Sequence, residues 1–140
     1  MGMKAFLKSA ATIRPNQQVA ISERFIGEDG APEKWELRPL TEEEDSKLRA
    51  SCTEINLESG NRRVKFDKER YVLLLAAAAV VYPDLKDAEL QKSYGVIGED
   101  KLLSKMLYTG EFDRLTKITQ ALNGYDNKAF EAAMEEVKNS

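Results

Sequence analysis

The feature that constrains the fold most is the run of apolar residues from Val72 to Tyr82. It is about half as long as the ~20 residues that a membrane-spanning helix needs. Asp67 fits the N-cap of a helix that contains this run, and Pro83 fits its end. The predicted helix, 67–81, is apolar on nearly every side, so the rest of the chain or another subunit must cover it. We therefore expect a buried helix and no contact with a membrane.

Two segments precede the first predicted helix. Residues 1–17 form an N-terminal arm, with a short amphipathic patch followed by a turn signal at Pro15. Residues 18–38 predict a β-hairpin, because the β-rich runs Val19–Ile26 and Lys34–Arg38 flank an Asp-Gly turn. In this hairpin Trp35 and Leu37 would share one face, since side chains alternate along a strand.

The remainder of the chain reads as helices. Thr41 and Glu44 match a capping box, which predicts a helix from there to about Cys52. Further helices are expected to start near Asp87, Gly98, Thr109 and Asp126, with apolar stripes at helical spacing that include Leu102, Leu103, Met106, Phe112, Leu115 and Ile118. The predicted fold is therefore mostly α (α+β). It is a single mainly helical domain over 18–140, with a β-hairpin at about 18–38 and helices from about 41 onward.

Residues 53–66 allow two interpretations. Ile55 and Leu57 alternate with polar residues, and Val64 and Phe66 do the same after Ser59-Gly60-Asn61, which is typical of a second hairpin. The polar composition of the stretch favours a loop equally well.

The composition argues against catalysis and against metal binding. The 140 residues contain no histidine and one cysteine, so the commonest general base, the commonest metal ligand and a disulfide are missing. The acidic residues of 42–45 stand at a predicted helix start, where carboxylates stabilise free N–H groups. No glycine pattern typical of a phosphate-binding loop occurs. We therefore expect a protein that binds other proteins, with no cofactor and no catalysed reaction.

The sequence carries signals for two further binding modes. A basic cluster around Phe66, formed by Arg62, Arg63, Lys65 and Arg70, resembles a phosphate-binding or single-strand-binding segment. Interrupting acidic residues and a net charge of −3 argue for a solvated loop instead. The apolar run with its small alanines permits close helix approach, so self-association into a homo-oligomer is a second hypothesis.

Three stretches of the sequence resemble the XkdN-like tail assembly chaperones of phages and defective prophages. The first runs from Ser22-Glu-Arg-Phe-Ile-Gly through Trp35-Glu-Leu-Arg to Cys52. The second is Val80-Val-Tyr-Pro-Asp-Leu-Lys-Asp-Ala-Glu-Leu-Gln-Lys-Ser-Tyr-Gly-Val96, and the third spans Leu102–Phe112 and Leu122–Asp126. The resemblance covers roughly residues 20–138.

This resemblance implies a protein that coats the long helical tape-measure protein, keeps it soluble and recruits tail-tube subunits. Such a protein acts in the cytoplasm of the bacterial host and is not expected in the mature virion. Nucleic acid is not among the implied partners. The alternatives are a structural component of the same tail and a small nucleic-acid-binding regulator.

The predicted partner-binding residues lie at one corner between two helices. They are Tyr82, Pro83, Asp84, Leu85, Leu90 and Tyr94. A loop held by rigid helices often carries function. The competing interpretation is that the apolar members of this set pack helices together and that Pro83 and Asp84 end one helix and start the next.

Overall fold

A computed structural model describes residues 2–58 and 60–125 of the chain. After a short 3-10 turn at Lys4–Phe6, the strands are β1 Gln17–Val19, β2 Trp35–Leu37, β3 Thr53–Glu58, β4 Asn61–Phe66 and β5 Val80–Tyr82. The helices are α1 Glu42–Ser51, α2 Lys68–Ala79, α3 Ala88–Ser93, α4 Glu99–Met106 and α5 Thr109–Leu122. The fold is α+β and carries more β structure than a mostly α fold. The predicted last helix, from Asp126, lies outside the described residues.

The predicted N-terminal hairpin is present, but its first strand is shorter than expected. β1 pairs antiparallel with β2, with Val19 opposite Trp35, and β1 ends at Val19 instead of continuing to Ile26. Residues 20–34 form a long connection in which Ile26 makes a single bridge to Pro32. β1 ends early because Ile21 is buried in the core and the Ser22 hydroxyl bonds to a side chain of α5. The segment after Val19 therefore packs against α5 and does not continue to pair with β2.

The predicted end of the apolar helix was wrong by two residues. α2 ends at Ala79, and Val80–Tyr82 forms β5, which pairs antiparallel with β2 in a sheet of order β1-β2-β5. Three effects favour the extended conformation here. β-Branched valines are restricted in helices, Pro83 disfavours helical Tyr82, and the edge of β2 offers hydrogen-bond partners. The contact between β2 and β5 begins with a hydrogen bond in which the Arg38 N–H donates to the Ala79 carbonyl at 2.8 Å.

The chain itself covers α2. One face of α2, with Ala76 and Ala77, enters a core shared with the three-stranded sheet, α4 and α5. A second cluster, with Tyr71 and Leu75, packs against α1. α2 is therefore buried without a second subunit, which removes the sequence argument for self-association and leaves self-association itself a prediction.

The hairpin interpretation of residues 53–66 is confirmed. β3 and β4 pair antiparallel over their full length, with Ile55 opposite Val64, and this two-stranded sheet is separate from the other one. Thr53 lies opposite Phe66, and Leu57 lies opposite Arg62. The hairpin continues directly from α1 and leads directly into α2, whose N-cap is Asp67 as predicted.

Most predicted helix signals hold. Asp87 caps α3, Gly95 follows it with φ 67°, and α4 begins after Gly98. Thr109 was expected to cap α5 but is its first helical residue. The N-cap is Tyr108, whose N–H donates to the Glu111 carboxylate at 2.8 Å. The cap moves by one residue because Glu111, three positions beyond Tyr108, accepts that bond.

Replacing Thr41 by alanine is expected to lower the free energy of unfolding by about 1 kcal/mol. The Thr41 hydroxyl accepts from the Glu44 N–H at 3.3 Å, and the Thr41 N–H donates to the Glu44 carboxylate at 3.0 Å. Urea denaturation followed by Trp35 fluorescence measures the change. Thr41→Ser keeps the hydroxyl and should retain most of the stability, so an equal loss in both variants would contradict the capping role.

Candidate partner-binding surfaces

The predicted corner residues do lie together, between β5 and α3, but they differ in exposure. Tyr82 is 50% exposed and Asp84 is exposed, whereas Leu85 is only 3% exposed and belongs to the core. Leu90 and Tyr94 are half-buried and pack against that core. The peptide bond between Tyr82 and Pro83 is cis. Tyr82 and Asp84 are thus the corner residues most accessible to a partner. The two leucines and Tyr94 pack inward against the core.

Hydrogen bonds hold this corner in one conformation. The Asp84 carboxylate accepts from the Lys86 N–H at 3.0 Å, and the Asp87 carboxylate accepts from the Leu90 N–H at 2.9 Å. Gln91 connects two loops, because its amide donates to the Leu85 carbonyl at 2.8 Å and accepts from the Gly98 N–H at 3.1 Å. Sequence reasoning missed Gln91, since an isolated glutamine on a short helix gives no pattern.

A cleft of about 450 Å³ adjoins the corner. Its apolar part comes from the end of α2 and from β5, and its rim carries both signs of charge, with Arg38 and Lys86 against Asp84 and Glu99. Lys86 and Glu99 approach each other to 3.9 Å. A cleft that is partly apolar and carries both signs of charge at its rim suits an amphipathic protein segment better than a small charged ligand.

A second apolar surface lies on the β3–β4 hairpin. Paired residues point to the same side of a sheet, so one side of this hairpin carries the residues that we call the hairpin face, namely Thr53, Ile55, Leu57, Arg62, Val64 and Phe66. Ile55 is 52% exposed, Val64 51% and Leu57 74%. The alternation of Ile55, Leu57 and Val64 with polar residues indicates this apolar surface, but only if residues 53–66 form a hairpin and not a loop.

The hairpin divides the basic cluster that suggested nucleic-acid binding. Arg62 lies on the hairpin face, whereas Arg63 and Lys65 lie on the other side, where Lys65 is opposite Glu54. Arg70 is on α2 and pairs with Asp100 at 3.6 Å. The four cations therefore do not form one continuous basic surface.

The Ser22-Glu-Arg-Phe stretch ties the long connection to α5. The Arg24 guanidinium donates to the Glu111 carboxylate at 2.7 and 3.1 Å and to the Met106 carbonyl at 2.5 Å, and the Ser22 hydroxyl also bonds to Glu111. The hydrogen bonds from Arg24, assisted by Ser22 and the Tyr108 N–H, lower the pKa of Glu111 to about 2. This network is structural, since Arg24 and Glu111 neutralise each other.

A smaller cavity of about 170 Å³ lies between α1, α2 and the end of α5. The Tyr71 hydroxyl, which lines it, donates to Asp45. Burial, and then this bond, raise the pKa of Tyr71 above its ordinary value. A tyrosine held in its protonated form is a poor general base.

The described part of the chain contains neither a cluster of metal ligands nor a membrane-spanning helix. No three acidic or cysteine side chains there are arranged to hold a metal ion. None of the described helices is both long and apolar enough to cross a bilayer.

Comparison with known proteins identifies relatives along nearly the whole sequence. Residues 3–138 match the model of the phage XkdN-like tail assembly chaperone proteins. The phage-like element PBSX protein XkdN of Bacillus subtilis strain 168 is 27% identical over 138 residues, which cover 96% of this chain and 93% of that protein. The uncharacterized protein YqbN of the same strain is 27% identical over 126 residues, covering 88% and 85%.

The fold is also known from a solved structure. The crystal structure of YqbN superimposes with a TM-score of 0.76 at 20% identity, covering 90% of this chain and 98% of that one. This similarity supports the α+β architecture, and the sequence match over residues 3–138 shows the family. The chain belongs to the phage XkdN-like tail assembly chaperone family.

Proposed function

We propose that this protein binds the tape-measure protein during phage tail assembly, keeps it soluble and helps to recruit tail-tube subunits, without catalysing a reaction. It acts in the cytoplasm of the bacterial host and leaves before the tail is complete. Family membership over residues 3–138 is the observation that carries this proposal. The absence of histidine is in keeping with it, since the role needs binding surfaces rather than acid–base groups.

The corner formed by β5 and α3 is the surface that we assign to the client. It combines an exposed aromatic side chain, Tyr82, with a partly apolar cleft, and the hydrogen bonds of Gln91 fix the loops that surround it. Tyrosines in such positions contribute much of the affinity of protein interfaces, because they bury a large area at little entropic cost. Val81, also exposed, extends the apolar surface along the free side of β5.

Co-expression with a tape-measure protein from the same tail gene cluster tests the proposal. The long helical protein should become soluble and co-purify with this chain, and this chain should be absent from purified particles. A tape-measure protein that stays insoluble while this chain elutes alone would refute client binding. Recovery of the chain from finished particles would favour the alternative of a structural tail component.

Tyr82→Ala is expected to weaken client binding about tenfold or more, while the free energy of unfolding changes by no more than about 0.5 kcal/mol. The reason is that half of the Tyr82 side chain is already exposed, so its removal costs little in the free protein. Titration of labelled client with each variant measures the affinity.

Tyr108→Ala is the matched control for this prediction. Tyr108 is also an exposed tyrosine, 70% accessible, but it lies at the start of α5, where it contacts Arg24. It should leave client affinity unchanged. If both variants bind alike, the corner is not the client surface, although the proposed function itself would still be tested by co-expression.

A further inference from the structure

Two segments of opposite charge adjoin the β1–β2 pair. Residues 2–14, which we call the basic arm, carry three cationic side chains and no acidic one. Residues 26–33, which we call the acidic loop, carry three acidic side chains and no cationic one. Because β1 and β2 are antiparallel neighbours, the connection that contains the acidic loop lies at the Val19 end of β1, whereas the basic arm leaves from the Gln17 end. The two segments therefore extend from opposite ends of the pair.

Contacts with α5 give the separation of these two segments. In the first turn of α5 the Glu111 carboxylate accepts hydrogen bonds from Ser22 and Arg24, which lie just before the acidic loop. In the last turn the Leu122 carbonyl accepts from the Arg14 guanidinium, at the base of the basic arm, at 2.8 Å. Eleven helical positions correspond to about 16 Å along the axis. The arm and the loop are therefore attached to the protein about 16 Å apart.

The basic arm exposes both apolar and cationic side chains. The backbone hydrogen bonds of residues 3–11 join arm residues only to one another. Phe6 is 77% exposed and Ile13 is 86% exposed. Lys4 and Lys8 form no ion pair with any residue that the structure describes. A segment with this combination of side chains is suited to bind a surface that is acidic and partly apolar.

The acidic loop presents such a surface on a fixed backbone. The Gly27 N–H donates to the Ala31 carbonyl at 2.8 Å, which closes the turn. Ile26, at its start, is 58% exposed. The acidic side chains of the loop are exposed and form no ion pair within the described part of the chain, and they are Glu28, Asp29 and Glu33. The loop thus complements the basic arm, with three negative charges against three positive ones and an apolar side chain beside them.

We propose that the basic arm of one copy binds the acidic loop of a second copy, so that the protein associates head to tail. The arm is anchored by Arg14 on the far side of its own loop, whereas the loop of a neighbouring copy can approach it freely. Lys4 and Lys8 pair with carboxylates of that loop, and Phe6 packs against Ile26. A contact between unlike surfaces leaves an arm free at one end and a loop free at the other, so further copies add until a ring closes. This inference does not depend on the proposed client.

Sedimentation velocity of the full chain alone tests the association. At micromolar concentration and about 50 mM salt, the mass should exceed the 15.8 kDa of one chain and should rise with protein concentration. At about 1 M salt the Debye length falls to about 3 Å, so the association constant should fall about tenfold or more. A single species with the mass of one chain at every concentration, or association that is insensitive to salt, would overturn the proposal.

Charge reversal and mixing identify the two surfaces. The arm variant carries Lys4→Glu with Lys8→Glu, and the loop variant carries Glu28→Lys with Glu33→Lys. In each variant alone the arm and the loop have like charge, so the association constant should fall about tenfold or more. A mixture of the two should associate again, because it brings the unaltered arm of one variant to the unaltered loop of the other. Two variants that stay monomeric when mixed would refute contact between arm and loop.

Lys92→Glu with Lys101→Glu is the matched control for the arm variant. Both lysines are exposed and lie outside the arm, and the control has the same net charge as the arm variant. It should associate as the parent does. An equal loss of association in both would assign the effect to net charge, and undiminished association of the arm variant would place the contact elsewhere. Either result would overturn the proposal.

Discussion

Leu102→Ala is expected to lower the free energy of unfolding by about 2–5 kcal/mol, the range measured for buried leucines in other proteins. Leu102 is fully buried on α4, in the cluster that also holds Trp35, Leu103 and Leu115. The truncation removes apolar contacts and leaves a cavity that rigid neighbours fill only in part. Since native domains are stable by roughly 5–15 kcal/mol, this is a large fraction of the total.

Trp35 provides the measurement for this variant. It is the single tryptophan of the sequence and lies in the same cluster, so its fluorescence follows the unfolding of this core in urea. Leu7→Ala is the control, because Leu7 is a leucine of the N-terminal arm that is 54% exposed. It should change stability by no more than about 0.5 kcal/mol. Similar losses in both variants would contradict the assignment of the core.

Local signals in the sequence predicted much of the fold. The capping pattern of Thr41 and Glu44 and the N-caps at Asp67 and Asp87 depend on groups within a few residues of each other, and the positive φ at Gly124 depends on that residue alone. Such contacts can be read from sequence alone because their geometry is set by the backbone of a single turn. The apolar stripe of α4 followed from the same periodicity.

Contacts between distant residues account for the errors. The change from α2 to β5 depends on an open edge of β2, more than forty positions earlier in the chain. The early end of β1 depends on α5, since Ser22 and Arg24 bond to Glu111 across 89 and 87 positions. Neither partner is visible from local pattern. In the predicted corner, sequence placed Tyr82 and Leu85 close together but could not tell the exposed tyrosine from the buried leucine.

The hydrogen-bond network at Glu111 therefore stabilises the connection 20–34, which is the part of the fold that the sequence pattern predicts least well. The connection 20–34 has little regular structure, and three groups from two regions converge on one carboxylate, namely Ser22, Arg24 and the Tyr108 N–H. A second pair, Arg38 with Glu44 at 2.7 Å, links the end of β2 to the start of α1. In both places an arginine fixes irregular backbone, and both depend on an ionised carboxylate.

Stability should accordingly fall as the pH is lowered from about 4.5 towards about 2. Hydrogen bonds from Arg38 and Arg24 lower the pKa of Glu44 and of Glu111, respectively, from 4.5 to about 2. A carboxyl with a lower pKa in the folded state stabilises the fold at pH values above its unfolded pKa, and this contribution disappears as both states become protonated. Glu111 should account for on the order of 2 kcal/mol. The more exposed Glu44 contributes less, because solvent screens its ion pair.

Glu111→Gln separates the Glu111 contribution from general acid unfolding. The variant should be less stable than the parent by on the order of 2 kcal/mol at about pH 7, and the difference should shrink towards zero near pH 2. Urea denaturation at several pH values, followed by Trp35 fluorescence, gives both curves. Glu23→Gln is the matched control, since Glu23 is exposed in the same segment and forms no ion pair with any described residue. Its curve should follow that of the parent. A constant difference between Glu111→Gln and the parent at every pH would mean that the glutamine acts through shape or polarity, and that the ionised carboxylate does not hold the connection to α5.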